Sequence, residues 1–521
     1  MSKCTFLRNA LCLTASAFVV RCINIGYRIY LTEKIGAEGM GLYQLIYAVF
    51  VFAITVSTAG ISLSVTRIVS AAIADNKQKS LSGCVRKCIL FSLCLSIASG
   101  IALYFAAPAI GNGIVGDGRV IRSLQILSFG LPFMAACACL KGYFLAVRGI
   151  IQSACGELLE QFVTISVAVG LFVLLAPNTV ELCCCMIMIG STVGEVGAFF
   201  FTFLLYRIHV RKTGSYGVPS NHILKQICRI VLPITISTTL RSGLSVVENL
   251  LIPIGYRKNG ATASSALAEY GILNGMVLPV LLFPATFLQS FASLLVPEMA
   301  ESLTKHHVKH IRYVSGRAIR ATLLFSFFMA FFCGCFASQI GGALYHSAES
   351  VRLLQILSPL IPLLYLDMVV DSLLKGLDQQ LPSLRYNFAD TAIRVVLVFF
   401  LIPIAGTKGY LCIVFFSAIF NGVLSIHRLL KTADLSIDVL HWVVLPALCS
   451  GSAVGISAFL ISHTPMIQNS LWLALSLGLL LSLCCYLLFL RLCRCVSRED
   501  TVWLKQWILG MKKDSSLELS I

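Results

Sequence analysis

Charge is what this 521-residue chain has least of. Asp, Glu, Lys and Arg make up 12 % of it, against about 25 % in soluble domains. The deficit falls on the acidic side, with 23 Asp and Glu facing 40 Lys and Arg. At 58 % hydrophobic residues there is too little polar surface to wet a soluble fold of this length, and the mean hydropathy of +0.88 agrees. Disorder is excluded too, because disordered chains are poor in apolar residues. No C-x-x-C pair occurs among the 21 cysteines, so neither a zinc site nor any other metal site is expected. Runs such as Cys183-Cys184-Cys185 read instead as small apolar fillers. A P-loop, a G-x-S-x-G, an H-E-x-x-H and a long loop able to hold a polymerase or transferase site are all missing. The chain is therefore not expected to be an enzyme or an ATP-driven pump, and no bound cofactor is expected.

What is present is a succession of apolar runs. A helix needs about 20 apolar residues to cross a bilayer. Fourteen runs qualify, near 5–31, 41–72, 85–107, 122–146, 154–176, 180–206, 227–254, 268–297, 317–342, 353–374, 386–405, 408–430, 441–462 and 469–492. The first reads as an uncleaved span, since Arg21 and Arg28 interrupt any signal-peptide core. With both termini in the cytoplasm, Lys and Arg are about four times as numerous in the inner segments as in the outer loops. Lys77, Lys79, Lys305, Lys309 and Arg312 are among the inner ones. The net charge of +17 thus belongs to membrane topology and implies no nucleic-acid partner. The expected class is an all-α, multi-pass protein of the cytoplasmic (plasma) membrane with about fourteen spans, in contact with membrane lipids.

The chain also repeats itself. Leu124-Gln125-Ile126-Leu127-Ser128 recurs as Leu354-Gln355-Ile356-Leu357-Ser358, and in the same ungapped register Pro132 meets Pro362, Ser153 meets Ser383 and Glu160 meets Asp390. The reading is two six-span bundles, 1–220 and 221–440, then two additional spans at 441–492 and a cytoplasmic tail at 493–521. An even number of spans per half makes the repeats parallel, around a central cavity, as in transporters that work by alternating access.

Ionisable residues inside spans are costly and mark partners or pathways. Arg21 and Arg28 lie seven apart on the first span, within about 20° of one helix face. Arg241 and Glu248 share that spacing on the seventh. Asp367 and Asp371 are four apart, as are Asp390 and Arg394, a spacing that allows an intrahelical pair. Arg67 and Lys141 lie near cytoplasmic ends, where long side chains snorkel. Arginines on the opening spans of both halves suit an anionic guest, because guanidinium grips phosphate with a two-pronged fork and stays protonated.

The stretch Tyr27-Arg28-Ile29-Tyr30-Leu31, followed by Gly36-Ala37-Glu38-Gly39-Met40-Gly41-Leu42-Tyr43-Gln44, resembles the start of the stage V sporulation protein B-like oligosaccharide flippases. So does Ala59-Gly60-Ile61-Ser62 leading to Arg67. The second half matches at Leu232-Pro233-Ile234-Thr235-Ile236-Ser237, at Tyr270-Gly271-Ile272-Leu273-Asn274-Gly275-Met276 and at Val296-Pro297-Glu298. That family sits in the polysaccharide transporter branch of the multidrug/oligosaccharidyl-lipid/polysaccharide flippase superfamily. The resemblance implies a flippase for an undecaprenyl-pyrophosphate-linked oligosaccharide, such as a peptidoglycan precursor for spore cortex, with cell-wall synthases as partners. It implies that Arg21, Arg28, Arg241 and Arg67 hold the substrate. Since some relatives bind sodium in the C-terminal bundle, it also points to Glu248, Asn387 and Asp390, with Arg394, as cation or gating residues, and to a sodium or proton gradient as the energy source. Two rivals keep the architecture: a cation-coupled multidrug exporter, and a non-transporting scaffold for cell-wall synthesis.

Overall fold

The computed structural model describes residues 3–74, 81–147, 149–213, 223–435, 438–464, 470–493 and 495. The basic residues Lys77 and Lys79, and the tail at 493–521 apart from Cys493 and Cys495, lie outside the described residues. Helix is the only regular structure among those described. The order is α1 (Lys3–Thr58), α2 (Ile61–Ala74), α3 (Leu81–Pro108), α4 (Val120–Ser128), α5 (Leu131–Ala146), α6 (Ile150–Leu175), α7 (Val180–Thr213), α8 (Ile223–Lys258) and α9 (Ala263–Tyr270). It continues with α10 (Leu278–Leu282), α11 (Ala285–Thr304), α12 (Val308–Cys335), α13 (Ala337–Leu344), α14 (Ala348–Leu357), α15 (Ile361–Gly376), α16 (Gln380–Ala433), α17 (Leu445–Ser462) and α18 (Leu471–Leu492).

The chain is a polytopic, all-α membrane protein. Ten helices are long and apolar enough to cross a membrane, or eleven if the bent pair α4–α5 is one span. Two of the ten run for 53 and 54 residues, roughly 80 Å at 1.5 Å per residue, when one crossing needs about 30 Å. Each breaks at a glycine, Gly36 at φ 66° in α1 and Gly406 at φ 55° in α16. Only glycine enters that left-handed region cheaply. The breaks fall where the sequence separates 5–31 from 41–72 and 386–405 from 408–430. The count is thus consistent with about fourteen crossings.

The sequence repeat is also a repeat of local structure. Helices α5 and α15 both span 16 residues and both place a proline in the first turn. The Ser128 hydroxyl donates to the Gln125 carbonyl just as Ser358 donates to Gln355. Packing groups the chain differently from the repeat. One compact unit holds Cys12–Gly275 with Thr391–Ile413; the other holds the described residues of Met1–Leu11, Met276–Asp390 and Val414–Ile521. The opening span of the second half therefore clusters with the first half.

Within the first unit, helices meet at bare backbone. A Cβ on Gly41 would lie 1.9 Å from the Leu267 carbonyl oxygen, and one on Gly271 would lie 2.1 Å from that of Ala37. Gly190 and Gly194 of α7 pack the same way against Thr164 of α6. Neither neighbour at Gly41 can yield, because it is main chain. Gly41→Val is expected to lower stability by about 3 kcal/mol, the upper end for overpacking, read as the thermal unfolding midpoint in detergent. An unchanged midpoint would mean that this helix contact is not made.

Candidate functional site

The arginines separate into two groups. Arg119 pairs with Glu38 and Asp117, Arg122 with Glu181, Arg312 with Asp434, and Arg394 with Glu248. Arg21, Arg28, Arg67 and Arg241 have no carboxylate partner among the described residues. Arg21, Arg67 and Arg241 are exposed and Arg28 is half-buried. Uncompensated guanidiniums are what an anionic guest requires, and a paired arginine offers it little.

One cavity in the first unit is lined by Ser242, which follows the unpaired Arg241, and by Tyr47, which lies within electrostatic reach of the unpaired Arg28. Its volume is about 230 Å³, and its polar lining is Gln44, Tyr47, Ser242, Ser245, Asn249, Tyr270 and Asn274. Arg28 acts electrostatically on the Tyr43 and Tyr47 rings, which stack with centroids 6.1 Å apart. Arg241 directly precedes the lining residue Ser242 and lies one turn before Ser245, about 40° round the same helix. None of the ten lining residues is a carboxylate or an ammonium.

A hydrogen-bond network supports the cavity wall. Tyr270 Oη donates to Asn249 Oδ1 at 2.8 Å, while Asn249 Nδ2 donates to the Ser245 carbonyl at 2.8 Å. Asn274 and the Tyr410 hydroxyl meet at 3.4 Å. Beside them Glu248, 6 % exposed at its side chain, accepts a 2.5 Å bond from Arg394, which is 32 % exposed. The sequence spacing allowed Asp390 as the partner of Arg394 on one helix. The structure pairs Arg394 with Glu248, 146 positions away. Glu248 brings its charge into a buried site and so needs a compensating cation there.

Asn387 and Asp390 lie in the second unit, in a separate polar cluster. Ser417 Oγ donates to Asp390 Oδ2 at 2.9 Å. Asn421 Nδ2 donates to Asp367 Oδ2 at 2.9 Å and to Asn387 Oδ1 at 3.2 Å. Asp371 pairs with Lys375 and accepts from Ser383. Asp367 Oδ1 and Asn421 Oδ1 are buried without a hydrogen-bond partner. Among the described residues no three of His, Cys, Asp and Glu are placed to hold a metal ion.

Two further groupings were not legible in the sequence. Lys141, placed by sequence at a snorkelling position, lies 3.4 Å from Glu160 and 3.8 Å from Glu157, so carboxylates rather than headgroups neutralise it. Buried Glu195 of α7 interacts with the same group. At the start of α4, Arg119 reaches Glu38 at 2.8 Å, and Ser264 donates to the other oxygen of Glu38 at 2.6 Å. Burial pushes the neighbouring Asp117 carboxyl up. The Arg119 guanidinium and backbone N–H outweigh that and hold it below the usual carboxylate range. Apart from Asp117 and Arg119, which are two residues apart in one connection, these partners are on different helices, so helical spacing could not pair them.

A family model described as polysaccharide biosynthesis protein matches residues 6–302. Stage V sporulation protein B of Bacillus subtilis (strain 168) is 23 % identical over 416 residues, covering 78 % of this chain and 80 % of that protein. The lipid II flippase MurJ of the same organism is 21 % identical over 438 residues, covering 77 % of this chain and 78 % of that one. Among solved structures, lipid II flippase MurJ in an inward closed conformation superposes with a TM-score of 0.67 at 14 % identity, covering 92 % of this chain and 99 % of that one. An inward-facing multidrug resistance MATE family transporter gives 0.63 at 16 % identity, covering 80 % and 97 %. The fold is thus that of both transporters, and the resemblance read from Arg21 through Gln44 holds over most of the chain.

Proposed function

The chain belongs to the polysaccharide biosynthesis protein family, and from that premise we propose that it is a flippase for a lipid-linked oligosaccharide. Its cargo is an undecaprenyl-pyrophosphate-linked sugar, a peptidoglycan precursor serving spore cortex, carried across the cytoplasmic membrane. The similarity to stage V sporulation protein B and to a lipid II flippase supports this reading. The observation that carries it is a cavity with no carboxylate in its lining, near two guanidiniums, Arg28 and Arg241, that have no carboxylate partner among the described residues. A pocket for a cationic drug would show the opposite polarity.

Arg21, Arg28 and Arg241 grip the pyrophosphate, and Arg67 guides the headgroup near the cytoplasmic side, where both termini lie. The two six-span repeats rock about the site while the polyprenyl tail stays in lipid. Bare Asp367 and Asn421 oxygens beside Asp390 and Asn387 fit a sodium ion or a proton, whose gradient would supply the driving force. Glu248, already neutralised by Arg394, is a support of the cavity wall and not a cation ligand.

The test is arrival of undecaprenyl-linked precursor in the outer leaflet of sporulating cells that lack this chain and its relatives. Precursor is expected to be trapped on the inner leaflet and released when the wild-type chain is restored. Unchanged arrival without the chain would defeat the proposal.

A further inference from the structure

The cavity beside Arg28 and Arg241 does not itself carry the charge that a pyrophosphate needs. Its polar lining is two amides from α8 and the segment after α9, one amide and one phenol from α1, the Tyr270 phenol at the end of α9, and two hydroxyls, all neutral at physiological pH. Gln44 Nε2 is buried and makes no hydrogen bond among the described residues. The Ser242 and Ser245 hydroxyls make none among the described residues either. Tyr47 is held parallel to Tyr43, at an interplanar angle of 17°, and so presents a fixed aromatic wall. Fixed amide donors, hydroxyls and an aromatic surface are the groups that bind a ring bearing hydroxyl or amide substituents on one face and C–H bonds on the other.

Size narrows the guest further. At about 230 Å³ the cavity is below the roughly 300–1,000 Å³ of pockets that enclose drug-sized ligands. Its lined space suits one ring. Chemistry fixes where that ring would be, because in a sugar pyrophosphate the first sugar is joined to the outer phosphate through its anomeric oxygen. A pyrophosphate held by Arg28 and Arg241 has that sugar one bond away, and the cavity lined by Ser242, next to Arg241 in the chain, and by Tyr47, near Arg28, is the space it would enter.

We propose that Gln44, Tyr47, Ser242, Ser245, Asn249 and Asn274 form a subsite for a neutral pyranose, the sugar bonded directly to the pyrophosphate. This inference rests on the flippase reading and adds to it a selectivity: the protein distinguishes a glycosylated carrier from the bare polyprenyl pyrophosphate. A charged uronic acid has no counter-ion in the cavity and is disfavoured.

The experiment uses the full-length protein in nanodiscs and two probes, farnesyl pyrophosphate and farnesyl-pyrophosphoryl-N-acetylglucosamine, with affinities compared by native mass spectrometry. The wild-type chain is expected to prefer the glycosylated probe by about tenfold, the equivalent of about 1.4 kcal/mol. Gln44→Leu is expected to bring the ratio of the two affinities close to one. Ser245→Ala, which cannot upset packing, is expected to move it the same way. A wild-type ratio of one with farnesyl pyrophosphate still bound overturns the subsite alone. Failure of the wild-type chain to bind either probe overturns the flippase reading as well. Variants that keep the wild-type ratio overturn the assignment of these residues.

Discussion

Replacing Arg28 or Arg241 by glutamate is expected to reduce precursor delivery at least about a hundredfold at unchanged membrane abundance. A charge-assisted hydrogen bond is worth about 1.5–3 kcal/mol, and guanidinium makes two at once to a phosphate. Losing one fork removes about two decades of affinity, and reversal adds repulsion of the pyrophosphate. Neutral Arg28→Gln and Arg241→Gln should fall between wild type and reversal, because they lose the fork without gaining a like charge. The control is Arg122→Gln. That side chain already faces Glu181 at the surface, and exposed pairs contribute about 0–1 kcal/mol. Both sets are read in the leaflet-accessibility assay in cells, with abundance checked by immunoblot. If the two reversal variants deliver precursor normally, these arginines do not hold the substrate.

The second large effect is on stability. Arg394→Leu takes the guanidinium away from buried Glu248, and removing one partner of a buried ion pair costs about 3–5 kcal/mol. Arg394 is one-third exposed, so the lower end of that range is expected. Unfolding in detergent should shift to a clearly lower midpoint. Because Glu248 lies beside the Tyr270–Asn249 and Tyr410–Asn274 contacts, the same change should loosen the cavity wall. Replacing both members, Glu248→Leu with Arg394→Leu, is expected to recover most of the lost stability, since an apolar pair of similar volume can substitute for a buried ion pair. A double variant no more stable than Arg394→Leu would show that Glu248 is not neutralised by Arg394.

These two predictions differ in how far the sequence could have led to them. The arginines on spans one and seven stood out by composition, since a charge inside an apolar run is conspicuous at any register. The Glu248–Arg394 pair did not, because spacing on one helix suggested Asp390 as the nearer partner. Asp390 turned out to be occupied with Ser417. Lys141 likewise read as a snorkelling side chain until Glu157 and Glu160 were placed around it.

Hydropathy alone was enough to establish an all-helical membrane protein and roughly where its spans break. A bilayer imposes those features on every crossing segment separately, through a length of apolar residues and an internally satisfied backbone. Which arginines keep a bare charge, which carboxylates share a site, and where neutral amides and hydroxyls enclose a ring-sized space were decided by contacts between helices distant in the chain. Such contacts depend on how each helix is rotated and how deep it sits against its neighbours, and neither quantity is written in the periodicity of a single segment.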